Sequence, residues 1–219
     1  MDALALGGAR LMCNRARFAG EPETLFERFG ATWAQDVVRP NKDPQELFPK
    51  SKAFIIREER GRRAVDVMLW DVLGGGAKWP MTNVRNLGLP QWRRLAADTE
   101  NRCLVPLTEF CEWTPDIHQV GEGKPIKGEM WFDVPSQPVF AVAGFWQQTT
   151  KGQGFTMVTC DPNELVAPIH PKAMITILDE AEWDRWLRGT YDDVVALQQP
   201  YPADQMTVRG PVFPTRSQR

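Results

Sequence analysis

The chain has 219 residues, of which 42% are hydrophobic and 25% charged, with a formal net charge of −2. This length buries one sizeable core or two small ones, and no apolar run approaches the roughly 20 residues that span a bilayer. The charge balance excludes a global pull toward nucleic acid. A polyanion would have to meet a local patch, with Arg15 and Arg17, Arg60 to Arg63, or Arg93 and Arg94 as candidates. Each of these reads first as solvated surface charge.

Four cysteines, Cys13, Cys103, Cys111 and Cys160, are widely spread without a CxxC pair, and His118 and His170 are the only histidines. This excludes a structural zinc site, and neither a metal nor a cofactor is expected. The N-terminal residues lack a basic stretch ahead of their apolar part, so a secretory signal is not expected. Reduced thiols in the cytoplasm fit best. Nine tryptophans are many for this length; they can fill a core, or, where exposed, stack on nucleic-acid bases.

In chain order, residues 1–11 read as an N-terminal extension, 12–200 as a single domain and 201–219 as a Pro- and Arg-containing tail laid over the surface. Apolar residues at helical spacing predict a short amphipathic helix from Glu23 to Ala34. Residues 53–57 and 64–70 predict a hairpin across a charged turn. Gly74 to Gly76 follow with neither a Gly-Lys-Ser/Thr sequence nor a helix after them, which rejects a phosphate loop and leaves a flexible connection. A helix is predicted from Pro90 to Ala97, and strands over 102–106, 108–113, 129–134, 139–145 and 154–159. Residues 115–128 read as a polar loop. A further strand ends the segment from Pro168 to Leu178, and helices are predicted over 180–187 and 192–199. Without βαβ alternation, this is an α+β protein of mostly antiparallel sheet, closed or half-closed into a barrel-like core.

The stretch Met12-Cys13-Asn14-Arg15 stands apart chemically. With Met12 removed, Cys13 would carry two nucleophiles, its thiol and a free α-amine. The amine can condense with an aldehyde and the thiol can then close on the imine. Taken alone, a single cysteine is more often an apolar packing residue.

Several stretches together resemble the SOS-response-associated peptidase (SRAP) family, whose members shield abasic sites. Met12-Cys13-Asn14-Arg15 is similar to the family's Met-Cys-Gly-Arg, and Trp70-Asp71-Val72 to its Trp-Gly-Leu. Asn83-Val84-Arg85-Asn86-Leu87 resembles Asn-Ala-Arg-Ser-Glu. Arg102 to Pro106 followed by Phe110-Cys111-Glu112-Trp113 resembles Arg-Cys-Leu-Val-Pro and Phe-Tyr-Glu-Trp. Phe140 to Trp146 looks like the family's Phe-Ala-Gly-Leu-Trp strand, and His170-Pro171-Lys172-Ala173-Met174 stands where the family has His-x-Arg-Met-Pro.

The resemblance implies a single-stranded DNA binder, monomeric and nucleoid-associated when on DNA, that captures abasic sites as a thiazolidine crosslink. It implies Cys13 as nucleophile, Glu112 beside its amine, Asn83 hydrogen-bonding the sugar or the cysteine backbone, and His170 as general acid and base. It further implies Arg15, Arg85, Trp70 and Lys172 as DNA contacts. Two other readings stay open. One is a thiol peptidase using Cys13, His170 and Glu112, on itself or on other peptides. The other is a non-covalent single-strand binder whose extension disables the chemistry. The departures at Asn14, Asp71, Asn86, Leu87 and Lys172, and above all the residues ahead of Cys13, bear on which holds: an amide nitrogen has no basic lone pair for imine formation.

Overall fold

The computed structural model describes residues 14–75, 78–121 and 123–213. The expected extension 1–11, Met12 and Cys13, Gly76, and the end of the tail lie outside these residues. The chain opens with β1 (Arg15–Arg17) and α1 (Pro22–Phe29). The predicted helix stops early because Gly30 takes a left-handed conformation at φ 59°, a backbone geometry that glycine adopts without strain. The rest of the predicted helix becomes β2 (Thr32–Trp33), parallel to β5 below. Trp33 packs there against Phe26 and Phe54. After β3 (Glu46–Leu47), the predicted hairpin forms as β4 (Lys52–Glu59) and β5 (Arg62–Leu69). Its two-residue turn places Arg60 at φ 53° and Gly61 at φ 77°, the paired positive values that match the twist of the strands.

β6 (Asn83–Val84) and α2 (Pro90–Ala97) lead to β7 (Arg102–Leu107), β8 (Glu109–His118) and β9 (Ile126–Asp133). The expected polar loop over 115–128 is largely strand. β8 and β9 stay paired to His118 and Ile126 across a register shift after Trp113. Pro115 sits in that irregular stretch, where a missing N–H is tolerated, and the exposed residues beyond it hid the pairing from an alternation pattern. β10 (Phe140–Thr149), β11 (Gly152–Cys160), β12 (Met174–Ile175) and β13 (Ile177–Leu178) follow. Then come α3 (Trp183–Arg188), α4 (Tyr191–Leu197) and β14 (Thr207–Val212).

Strands β11, β10, β7, β4 and β5 are neighbours in that order, and β5 returns to β11 through the parallel pair Gly154 and Leu69. Five strands thus close a barrel, and four α-helices accompany it among the described residues. The protein is α+β. The closure needs a glycine, because a side chain at Gly154 would fall on the carbonyl of Asp71. Asp71 itself is fully buried, and its carboxylate accepts hydrogen bonds from the backbone N–H groups of Leu73, Gly75 and Met81 at 3.1, 3.1 and 3.0 Å. That residue therefore organises the loop leaving β5.

A second sheet runs in the order β14-β9-β8-β1-β3. The barrel strands are apolar on both faces, which explains unbroken runs such as Phe140 to Phe145. Phe54, Ile56, Leu104 and Ala143 face the helices, packing with Leu25, Trp92, Trp186 and Val194. Ala53, Ile55, Val105 and Val142 face the other way and share a core with Phe110 and Phe132 of the second sheet. The buried Arg102 ties the helical layer to the barrel by donating to the carbonyls of Ala96, Trp186 and Gly189. The segment after Tyr201 is more than a surface covering: Tyr201 and Met206 enter the second core and β14 adds an edge strand to β9.

Candidate active site

Asn14 is the first described residue, and its side-chain oxygen accepts a hydrogen bond from Trp113 Nε1 at 3.4 Å. β1 follows at once, paired on one side with β8 and on the other with β3. Trp113 and the next residue inward on β8, Glu112, line a cleft of about 410 Å³. Lys127 of β9 forms another wall, and His170, Pro171 and Lys172 close it from the segment ahead of β12. Two sequence motifs far apart in the chain therefore meet in one cavity, beside the strand that begins two residues after Cys13.

Glu112 is only 2% exposed, on a strand position registered with Met130. His170 is held by a turn in which its backbone N–H reaches the Val166 carbonyl at 2.8 Å. Its Nδ1 lies 2.6 Å from the carbonyl oxygen of Ala173. A carbonyl can only accept, so Nδ1 carries the proton of the neutral ring and Nε2 is the atom that can take or give one.

Arg85 holds this segment in place. Its guanidinium donates to the carbonyls of Cys160 and Lys172 and pairs with Asp161. Gln198 fixes the Arg85 backbone through a 2.6 Å bond to its carbonyl. Asn83 lies on β6, parallel to β11 opposite Met157, with its amide donating to Thr82 Oγ1 at 3.1 Å; it does not line the cleft.

Two expected DNA contacts sit elsewhere than on the surface. Trp70 is fully buried, stacked on Phe155, with its indole N–H donating to the Thr82 carbonyl at 2.9 Å. A side chain with no exposed face cannot stack on a base, so Trp70 is corrected to a core residue. Arg15 is also buried; its guanidinium pairs with Glu129 and Glu46 and lies between the rings of Phe48 and Trp131 at 5.1 and 5.2 Å. Lys172 is exposed on the cleft wall, as a contact residue needs to be.

Two residues outside the sequence-based set belong to the cleft, and a third is exposed elsewhere on the surface. Trp113 and Lys127 line the cleft, and Trp79 is 74% exposed next to Lys78, the arrangement of a stacking platform. A lone tryptophan in a Lys- and Pro-flanked polar stretch was the available signal for Trp79. Lys127 gave none, because the predicted strand begins at Glu129 and leaves residue 127 in a polar loop.

Cys103, Cys111 and Cys160 are buried, as small apolar groups. Burial pushes the Cys103 and Cys111 thiols well above the ordinary thiol range and Cys160 to about 11. Only the thiolate attacks electrophiles. An alkylating reagent applied at pH 8 is therefore expected to leave all three unmodified in the folded protein and to label all three after denaturation, as peptide mass mapping would read. Among the described residues no cluster of His, Cys, Asp and Glu is placed to hold a metal ion, and no helix is long and apolar enough to cross a membrane.

A barrel of this topology with a second sheet carrying an N-terminal strand, a buried glutamate and a loop histidine around one cleft defines the class of protein. The model of the SOS response associated peptidase (SRAP) family matches residues 12–212, and the chain belongs to that family. It is 29% identical to the abasic site processing protein YoaM of Bacillus subtilis over 213 residues, covering 89% of this chain and 88% of that protein. It is 26% identical to YoqW of the same organism over 214 residues, covering 89% and 90%. A crystal structure of a protein from Bacteroides thetaiotaomicron superposes with a TM-score of 0.70 at 21% identity, over 94% of this chain and 99% of the other. One from Bordetella bronchiseptica also gives 0.70 at 21%, over 90% and 98%. The solved structures share the fold.

Proposed function

We propose that this protein binds single-stranded DNA and captures abasic sites covalently through Cys13, once that residue is the N-terminus. The observation that carries the proposal is the cleft in which Glu112, Trp113, His170 and Lys172 converge beside Asn14. Asn14 is one peptide link from Cys13, and Cα atoms across a trans peptide stand about 3.8 Å apart. The names of the Bacillus relatives, which process abasic sites, support the same reading.

In the proposed reaction His170, protonated on both ring nitrogens, gives its Nε2 proton to the ring oxygen of the abasic sugar as the C1 hydroxyl opens to the aldehyde, and the proton released by that hydroxyl returns to Nε2. The α-amine of Cys13 adds to the aldehyde carbon, and loss of one water leaves an imine. The thiol sulfur then adds to the imine carbon while its proton passes to nitrogen, closing a five-membered thiazolidine. Glu112 acts at the amine, taking up the proton released on attack. Asn83, on β6, is the residue that the family resemblance assigns to hydrogen-bonding the sugar or the Cys13 backbone. Trp79 offers an exposed ring to a neighbouring base. Release of residues 1–12, by initiation at Met12 or by cleavage of the Met12–Cys13 bond, precedes the chemistry. Such a protein works at the nucleoid, in the cytoplasm.

The test uses two forms of the protein, one beginning at Cys13 and one retaining residues 1–12, each mixed with a single-stranded oligonucleotide bearing one abasic site. A band that survives denaturing electrophoresis is expected with the first form and not with the second. No band with the form beginning at Cys13 would refute the proposal.

A further inference from the structure

The site presents an imbalance of charge that the family resemblance does not anticipate. Most arginines near the second sheet are committed to carboxylates. Arg15 is held by Glu129 and Glu46, Arg17 by Glu46 and Glu109, and Arg209 by Glu109. Trp131 lies beneath all three guanidinium groups, at 5.2, 4.3 and 5.7 Å from its ring centre. These groups form a neutral ladder that fastens the three-residue β1 between its neighbours. Arg85 is likewise occupied with Asp161 and two carbonyls, one of them that of Lys172.

Two cations in the cleft are placed differently. Lys127 enters from β9 and Lys172 from the segment after His170; both are exposed, and among the described residues neither lies within ion-pair distance of a carboxylate. Glu112, the one acid among the described residues that line the cleft, is buried. A cleft with an unneutralised ammonium group on each of two walls attracts a chain that carries a negative charge on both sides of the group bound between them.

We infer that Lys127 and Lys172 together bind the backbone phosphates of the DNA strand across this cleft. Arg15 serves instead as a positioning residue, its buried pair with Glu129 fixing β1. Arg85 positions the wall that carries Lys172. The inference rests on the reading of the cleft as a DNA site and adds Lys127 to it.

The experiment measures equilibrium binding of the full protein to a single-stranded oligonucleotide without an abasic site, over a range of salt concentrations. For single strands each neutralised phosphate adds about 0.7 to the slope of log affinity against log salt. Lys127→Gln and Lys172→Gln are each expected to lower that slope by about 0.7. Arg15→Gln is expected to leave the slope as it is while, in protein beginning at Cys13, slowing crosslinking to an abasic strand. The Arg15→Gln, Glu129→Gln double variant removes both buried charges and guards against loss of fold. An unchanged slope in Lys127→Gln, or a reduced slope in either Arg15 variant, overturns the inference. These outcomes are independent of the covalent reading, which stands or falls on the adduct at Cys13: an adduct with no slope change in Lys127→Gln retains the reading and loses the inference.

Discussion

Replacing Cys13 by alanine, in protein that begins at this position, is expected to abolish the stable adduct while leaving a transient one. Alanine keeps the α-amine, so the imine with the abasic aldehyde still forms. It lacks the sulfur that closes the ring, so water returns the imine to its components. Reducing the mixture with borohydride converts the imine carbon to an amine and should trap that species. Wild-type protein then gives an adduct with and without reductant, and Cys13→Ala gives one only with it. An undiminished adduct in Cys13→Ala without reductant would remove the thiol from the mechanism. The three other cysteines are not substitutes, since burial holds each of them as a thiol.

Glu129→Ala is expected to be the most damaging single change outside the cleft. The side chains of Arg15 and Glu129 are 10% and 4% exposed, and Glu129 also accepts from Trp131 Nε1 at 3.1 Å. Removing the carboxylate takes from the guanidinium, between Phe48 and Trp131, the more buried of the two carboxylates that hold it; Glu46, 3.4 Å away and 38% exposed, is screened by water. Breaking one side of such a buried pair costs about 3–5 kcal/mol. For a chain of this size that lowers the melting temperature by on the order of 10 °C. Replacing both partners with apolar residues, as in Arg15→Met with Glu129→Leu, should restore most of the loss, because no buried charge then remains. Thermal unfolding of the three proteins checks this. A Glu129→Ala protein that melts within about 2 °C of the parent would show the pair to be solvated.

The strands of the barrel were legible because they are buried on both faces and read as long apolar runs, as at 53–57 and 139–145. The hairpin at Arg60-Gly61 was legible because a short charged turn separates two such runs. What escaped were features decided by distant partners. Arg15 and Glu129 are 114 positions apart, so no local pattern reveals that a motif arginine is a buried anchor. Trp70 reads as a DNA contact through the resemblance alone, and it is buried at the end of β5, where that strand closes against β11. Asp71 was legible only as a departure from the family's glycine, and it sits at full burial, accepting from three backbone N–H groups of the loop it precedes. The extension of β8 and β9 past Pro115 depended on pairing with each other, which compensates for poor strand composition. The candidate site itself was legible through motifs, and the structure adds how they meet: Glu112 comes from β8, His170 from a turn held by Val166 and Ala173, and Lys172 from a segment anchored by Arg85.

The measurement that bears most directly on the proposed chemistry is the location of the bond. Protein beginning at Cys13 would be incubated with an abasic single strand, digested with nuclease and protease, and analysed by tandem mass spectrometry. The account predicts a single modified peptide that starts at Cys13, heavier by the sugar remnant less one water and unable to react further with thiol reagents at that residue. A remnant found on a lysine side chain, or on Cys13 with its α-amine still free, would contradict it.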